Sequence, residues 1–336
     1  MRSITTLSLA AGLALAVGPL SVVKADSHDC GSADTITIAE MTWSSAASLA
    51  HIAQTILSAG YGCNAELVPG DTVPTATSML TRSSPHIAPE LWVSTAQSIW
   101  DQMLERGNVY KASDIFGSGG EEGWWVPRYT WEANPQLRSV EDLADNWELF
   151  AEPANPGQGR LYGCPPGWGC EIITNNLFDA LGLDDTFELF SPGSGENLKA
   201  AWGRASLRER PIVGYYWGPS DVIGKYDLVR LDMPEHDPEL FLCLTDANCE
   251  DPQLTGWAVG EVAVAVVTEL REQAPAVAEF LGRMQVPNAD ISDVLAWGDD
   301  NRATPEEIAA YFFANHEDIW SSWVPAPVAD RVRAAL

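Results

Sequence analysis

From Asp34 onward, the apolar and polar positions switch repeatedly between strand and helix patterns. Thr35 to Ala39 is a short β-branched run, Ser44 to Ala59 carries a helical apolar stripe that stops at Gly60, and Cys63 to Val68 is strand-like again. Thr72 opens a second helix with Pro74 in its first turn, where a missing N–H costs nothing. His86 to Trp92 predicts a third strand, and Thr95 to Arg106 a helix ending at Gly107. Later, Arg160 to Cys164 and Pro211 to Trp217 read as strands, with a helix from Glu171 to Leu181 between them. This alternation predicts an α/β fold of mainly parallel sheets flanked by helices, in which ligands sit at the carboxyl ends of strands.

Two breaks divide the pattern. Gly117 to Gly123 is a flexible stretch leading into the extended Trp124-Trp125-Val126-Pro127, and Gly218-Pro219 precedes a return to helix and strand. They predict one lobe from residues 26–123 plus 220–336, a second from 124–219, and a hinge of two segments between them. Upstream, Met1-Arg2, an apolar run from Leu7 to Leu20 and Val23-Lys24-Ala25 have the form of a signal peptide cleaved after Ala25. The residues before Cys30 do not resemble a lipidation site, so a free periplasmic protein is expected, with no membrane insertion of its own.

Export makes disulfides the default for the six cysteines. Sequence proximity pairs Cys164 with Cys170 and Cys243 with Cys249, leaving Cys30 to Cys63 by elimination. Without residues 1–25 the chain has 47 acids against 17 bases, a net charge of −30. Such a surface repels nucleic acid and anionic membranes. No nucleophile elbow, Cys-x-x-Cys pair or histidine metal spacing appears, so catalysis is not expected. No cofactor is required. Asp246, Asn248 and Glu250 alternate as oxygen ligands do in a calcium loop, and a structural Ca²⁺ is weighed there against an acidic surface turn.

The tryptophans carry the chemistry. Of the fourteen, Trp43, Trp92, Trp168 and Trp217 fall at strand ends, where ligands bind, whereas Trp147, Trp202, Trp257, Trp297, Trp320 and Trp323 read as packing. Several indole faces around one point attract a desolvated quaternary ammonium, each by roughly 0.5 to 2 kcal/mol. Trp168 sits in Cys164-Pro-Pro-Gly-Trp-Gly-Cys170, a loop a disulfide would lock, and the amides of Gly169 and Cys170 open a helix toward the same edge. A cation cage beside an anion-binding helix start describes a zwitterion. Stacking of a sugar on tryptophan is the alternative, but the edge is poor in the polar groups a sugar needs.

These residues, with Gly214-Tyr-Tyr-Trp217-Gly-Pro219 and Ile87-Ala-Pro-Glu-Leu-Trp92, resemble the periplasmic binding proteins of glycine betaine, proline betaine and choline ABC importers. The pattern is similar to the marine alphaproteobacterial branch, which includes binders of trimethylamine N-oxide and dimethylsulfoniopropionate. The resemblance implies a two-lobed clamshell of type II, monomeric, that delivers a small methylated onium ligand to a permease with its ATPase. It also implies a cage of Trp92, Trp168 and Trp217, with Trp43 as fourth wall. Glu90, Glu121 and Glu122 depart from a simple betaine binder. A carboxylate in the pocket favours a hydroxyl or protonatable oxygen on the ligand, and a solvated hinge face is the other reading for Glu121 and Glu122.

Overall fold

The computed structural model describes residues 30–32 and 34–336, so the signal-peptide expectation lies outside the described residues. The described residues form eleven strands: β1 Ile36–Met41, β2 Ala65–Gly70, β3 Ile87–Trp92, β4 Val109–Asp114, β5 Glu121–Pro127, β6 Ala151–Glu152, β7 Asn155–Tyr162, β8 Phe187–Phe190, β9 Val213–Gly218, β10 Leu228–Arg230 and β11 Val262–Val267. They make two sheets flanked by helices. The first has the order β2-β1-β3-β11-β4, and the second β10-β5-β9-β7-β6 with β8 on β7.

In the first sheet β1 runs parallel to β2 and β3, as the alternating pattern implies. β11 enters antiparallel between β3 and β4, because it arrives from the second lobe rather than from a crossover helix. Its sequence, Val262-Ala-Val-Ala-Val-Val267, is buried throughout, as a central strand covered on both faces requires. The second sheet is also mixed: β9 and β8 run parallel to β7, while β5 runs antiparallel to β9 and β10.

The two segments joining the sheets lie side by side. Gly120 N donates to Gly260 O at 2.7 Å and Gly260 N donates to Gly120 O at 2.8 Å. The second crossing is therefore at Gly260, not near Gly218-Pro219, and the second lobe runs from β5 to about residue 258. Gly218-Pro219 is a turn within that lobe: the chain continues through the short helix Asp221–Lys225 to add β10 beside β5. The helix Pro238–Leu244 then stays with the second lobe, where Asn176 Nδ2 donates to the carbonyls of Leu244 and Asp246.

The expected disulfides Cys30–Cys63, Cys164–Cys170 and Cys243–Cys249 are all formed. Trp202, Trp320 and Trp323 are core residues, as their helical context predicts. The helix from Ser44 runs to Thr55 and continues as a π-helical turn, Ile56–Gly60, where a side chain on Gly60 would meet Val328 at 2.7 Å. Among the described residues no helix is long and apolar enough to cross a membrane.

Candidate ligand-binding site

Strand ends from both lobes converge on one small cavity. Trp43 follows β1 and caps the helix Ser44–Thr55, and Trp92 closes β3. Trp168 stands at the tip of the cystine loop, immediately before the helix Gly169–Ala180, and Trp217 lies near the end of β9. All four are buried, at 5 to 7% exposure, although none belongs to the interior of a single lobe. Trp168 is central: its ring lies 5.3 Å from Trp43 at 68° and 5.1 Å from Trp217 at 82°. Its Nε1 donates to Thr42 Oγ1 of the opposite lobe at 3.0 Å, and Gly167 O beside it accepts from Val73 N at 3.2 Å. Gly167 makes this turn with φ of +88°, a conformation that favours glycine.

The cavity is lined by Trp43, Trp92, Trp168 and Trp217 with Gly169, Cys170, Glu122, Thr72, Thr95 and Tyr215. Its volume is about 20 Å³ measured to water centres, a compact space rather than a groove. Glu122 is 1% exposed and accepts from Tyr215 O–H at 2.6 Å. Burial pushes its carboxyl up to about 7, against the lowering effect of the Tyr215 and Ser94 hydroxyls. Glu121, its neighbour, points the other way: it is exposed and pairs with Arg230 at 3.2 Å, so the solvated-face reading holds for this residue.

Glu90 does not line the cavity but stands behind it. Its Oε1 accepts from Trp43 Nε1 at 2.6 Å, Trp92 Nε1 at 3.0 Å and Ser45 Oγ at 3.0 Å. Burial raises its carboxyl to about 7 despite these three donors. Sequence reasoning overlooked Tyr215, Thr72 and Thr95 as wall residues. Tyr215 was within reach of it, because strand positions two apart share a face and Trp217 was already assigned there.

The family described as the substrate-binding domain of ABC-type glycine betaine transport systems matches residues 34–315. The chain belongs to that family. It is 23% identical over 303 residues to a trimethylamine N-oxide-binding protein of Pelagibacter ubique, covering 88% of this chain and 92% of that one. A glycine betaine/proline betaine-binding periplasmic protein of Salmonella typhimurium is 24% identical over 231 residues, 66% of this chain and 69% of its own. An ABC-transporter choline-binding protein solved with choline superposes with a TM-score of 0.71 at 19% identity, over 91% of this chain and 98% of that one. The fold is thus that of the periplasmic binding proteins, and the protein is a solute receptor rather than an enzyme.

Ion pairs and a close backbone approach show how the two lobes meet across the cleft. Lys199 of the second lobe pairs with Asp221 at 2.6 Å and with Asp299 of the first at 2.6 Å. Lys225 reaches Asp299 and, at 2.9 Å, Asp300. Closer to the cavity, Gly169 lies so near Thr95 that a Cβ would stand 2.5 Å from the Thr95 carbonyl. In Gly169→Ala that contact must open, and overpacking of about 1–3 kcal/mol corresponds to roughly 5- to 150-fold weaker binding. The ligand-free melting temperature should stay near wild type, because separated lobes relieve the clash. Titration followed by tryptophan fluorescence checks this; unchanged affinity would mean that the bound state lacks the Gly169–Thr95 contact.

The Asp246 to Glu250 turn is closed by the Cys243–Cys249 disulfide and by local hydrogen bonds. Asp246 Oδ1 accepts from Asn248 N at 2.9 Å and Asn248 Nδ2 at 3.2 Å. Asp246, Asn248 and Glu250 are exposed, and among the described residues no group of three His, Cys, Asp or Glu side chains is arranged to hold a metal.

Proposed function

We propose that this receptor binds trimethylamine N-oxide in the cage of Trp43, Trp92, Trp168 and Trp217 and delivers it in the periplasm to an ABC permease with its ATPase. The observation that carries the reading is Glu122, a buried acid raised to about 7 in the wall of an otherwise aromatic cavity. Indole faces hold the methylated nitrogen. The protonated Glu122 carboxyl donates to the N-oxide oxygen, and Tyr215 holds that carboxyl by its other oxygen. A betaine would bring a second carboxylate beside Glu122, with repulsion or a forced extra proton as the cost. The Pelagibacter relative named for this ligand aligns over most of both chains.

Choline is the second reading, because Glu90 and Glu122 are two buried acids with no basic side chain among the groups that shift them, and a permanent cation would neutralise one. Its hydroxyl would donate to ionised Glu122. Calorimetric titration at pH 6.5 with trimethylamine N-oxide, choline, glycine betaine and dimethylsulfoniopropionate, with maltose as control, separates the readings. Trimethylamine N-oxide should bind most tightly and maltose not at all. Tighter binding of glycine betaine would sink the assignment.

A further inference from the structure

Glu90 is an ionisable group buried outside the lining of the cavity, and no wall of the cavity requires a carboxylate there. It is 0% exposed on β3, bonded by two indoles and one hydroxyl, all on the same oxygen. Its other oxygen, Oε2, is buried without a hydrogen-bond partner. No Lys, Arg or His pairs with it among the described residues. A glutamine would fill the same shape and accept the same indole N–H groups at lower desolvation cost. The carboxylate is therefore the costly choice, and its benefit has to lie in the charge.

We infer that Glu90 is the positioning residue and counter-charge of the cage: a single carboxylate oxygen clamps the Trp43 and Trp92 indoles from behind and makes their faces selective for a positively charged nitrogen. The inference rests on the onium reading of the site. Trp43 and Trp92 come from different elements, one before a helix and one at a strand end, so a shared acceptor fixes the angle between two walls. An indole whose N–H donates to an anion also gains electron density in its ring. The negative face presented to the cavity deepens accordingly, which strengthens a cation–π contact but gives nothing to a neutral group of the same shape. The bare negative charge a short distance behind the rings acts in the same direction, in surroundings of low dielectric where it is weakly screened.

The test is Glu90→Gln in the full mature chain, titrated beside wild type at pH 8, above the raised Glu90 carboxyl, with trimethylamine N-oxide, with choline, and with the neutral analogue of choline in which carbon replaces the ammonium nitrogen. Near-ultraviolet circular dichroism of the ligand-free protein reports the setting of the tryptophans. The expected result is a wild-type aromatic spectrum and an unchanged or raised melting temperature, since a buried charge is removed. Both onium ligands should bind about tenfold more weakly, with the neutral analogue unaffected. Equal weakening of charged and neutral ligands, or a changed aromatic spectrum accompanying the loss, would reduce Glu90 to a geometric clamp and overturn the inference. Wild-type affinity in Glu90→Gln would overturn it outright while leaving the onium reading intact. Wild-type protein that binds no onium ligand at all would overturn both.

Discussion

Replacing Trp168 by Ala is expected to weaken ligand binding by about 30- to 150-fold while leaving both lobes folded. A desolvated cation–π wall contributes ~2 kcal/mol or more, and lost closure contacts bring the total to ~2–3 kcal/mol. Of the four clustered tryptophans, Trp168 is the one in edge contact with rings from both lobes, Trp43 from the first and Trp217 from the second. It also makes a hydrogen bond across the cleft to Thr42. Deleting it removes a wall and an interlobe contact together. Its burial arises at the closed cleft, so truncation exposes that interface rather than opening a cavity in either core. The ligand-free melting temperature should fall by less than about 2 °C, ~1 kcal/mol for a chain of this size. Calorimetry and a thermal scan of the same preparation check both halves. Affinity within threefold of wild type would return Trp168 to a packing role, whereas collapse of the melting temperature would place it in the lobe core.

The disulfide on either side of Trp168 explains why that residue was legible in the sequence. Cys164 and Cys170 enclose a loop whose prolines and glycines leave little freedom, and it leads directly into a helix. Local chemistry alone therefore placed the indole. The same holds for Trp43, Trp92 and Trp217, each defined by the strand that ends beside it. The α/β alternation was legible for a related reason, since β1, β2 and β3 alternate with helices and pair in the parallel order that local pattern dictates. The return crossing was not. Gly218-Pro219 is a break in pattern, but whether a break is a hinge or a turn depends on what the next strand pairs with, and β10 pairs with β5 about a hundred residues earlier. Direction in the sheet is equally non-local, so the antiparallel entry of β11 left no trace in Val262 to Val267. The separate fates of Glu121 and Glu122 follow the strand's period of two: one faces Arg230 and solvent, the other Tyr215 and the cavity.

The two segments that join the lobes lie against one wall of the aromatic cavity. A Cβ on Gly120 would lie 2.2 Å from the six-membered ring of Trp92, and one on Gly260 would lie 3.2 Å from it. Trp92 thus rests on both segments that join the lobes, while its N–H is held by Glu90 and its ring helps line the cavity. A larger residue at Gly120 or Gly260 would therefore displace the Trp92 ring from the cavity wall.

The affinity for trimethylamine N-oxide is expected to fall with rising pH above about 7, by up to tenfold per unit, and Glu122→Gln is expected to abolish that fall. The sign follows from the proton Glu122 must carry. Its carboxyl is raised from the ordinary 4.5 to about 7 by burial, so below about 7 it is protonated and, on the trimethylamine N-oxide reading, would donate to the N-oxide oxygen. Above 7 it is ionised before the ligand arrives, and binding has to take up a proton from solvent. Choline should show the opposite trend, because its cation and hydroxyl favour the ionised form. Glu90 titrates in the same range, and its ionisation favours any onium ligand, so the residual slope in Glu122→Gln should be flat or upward. In that variant the amide N–H replaces the carboxyl proton and its oxygen still accepts from Tyr215. Binding of trimethylamine N-oxide should therefore match low-pH wild type within a fewfold across the range. The same raised carboxyls make the ligand-free protein less stable as pH climbs from 4.5 through about 7, where the unfolded chain has lost protons that the folded one retains, with no further loss above. Titrations between pH 5.5 and 8.5, in buffers of differing ionisation enthalpy, measure both the slope and the proton taken up. A flat wild-type profile, or a falling limb that survives in Glu122→Gln, would remove Glu122 from the ligand's polar end.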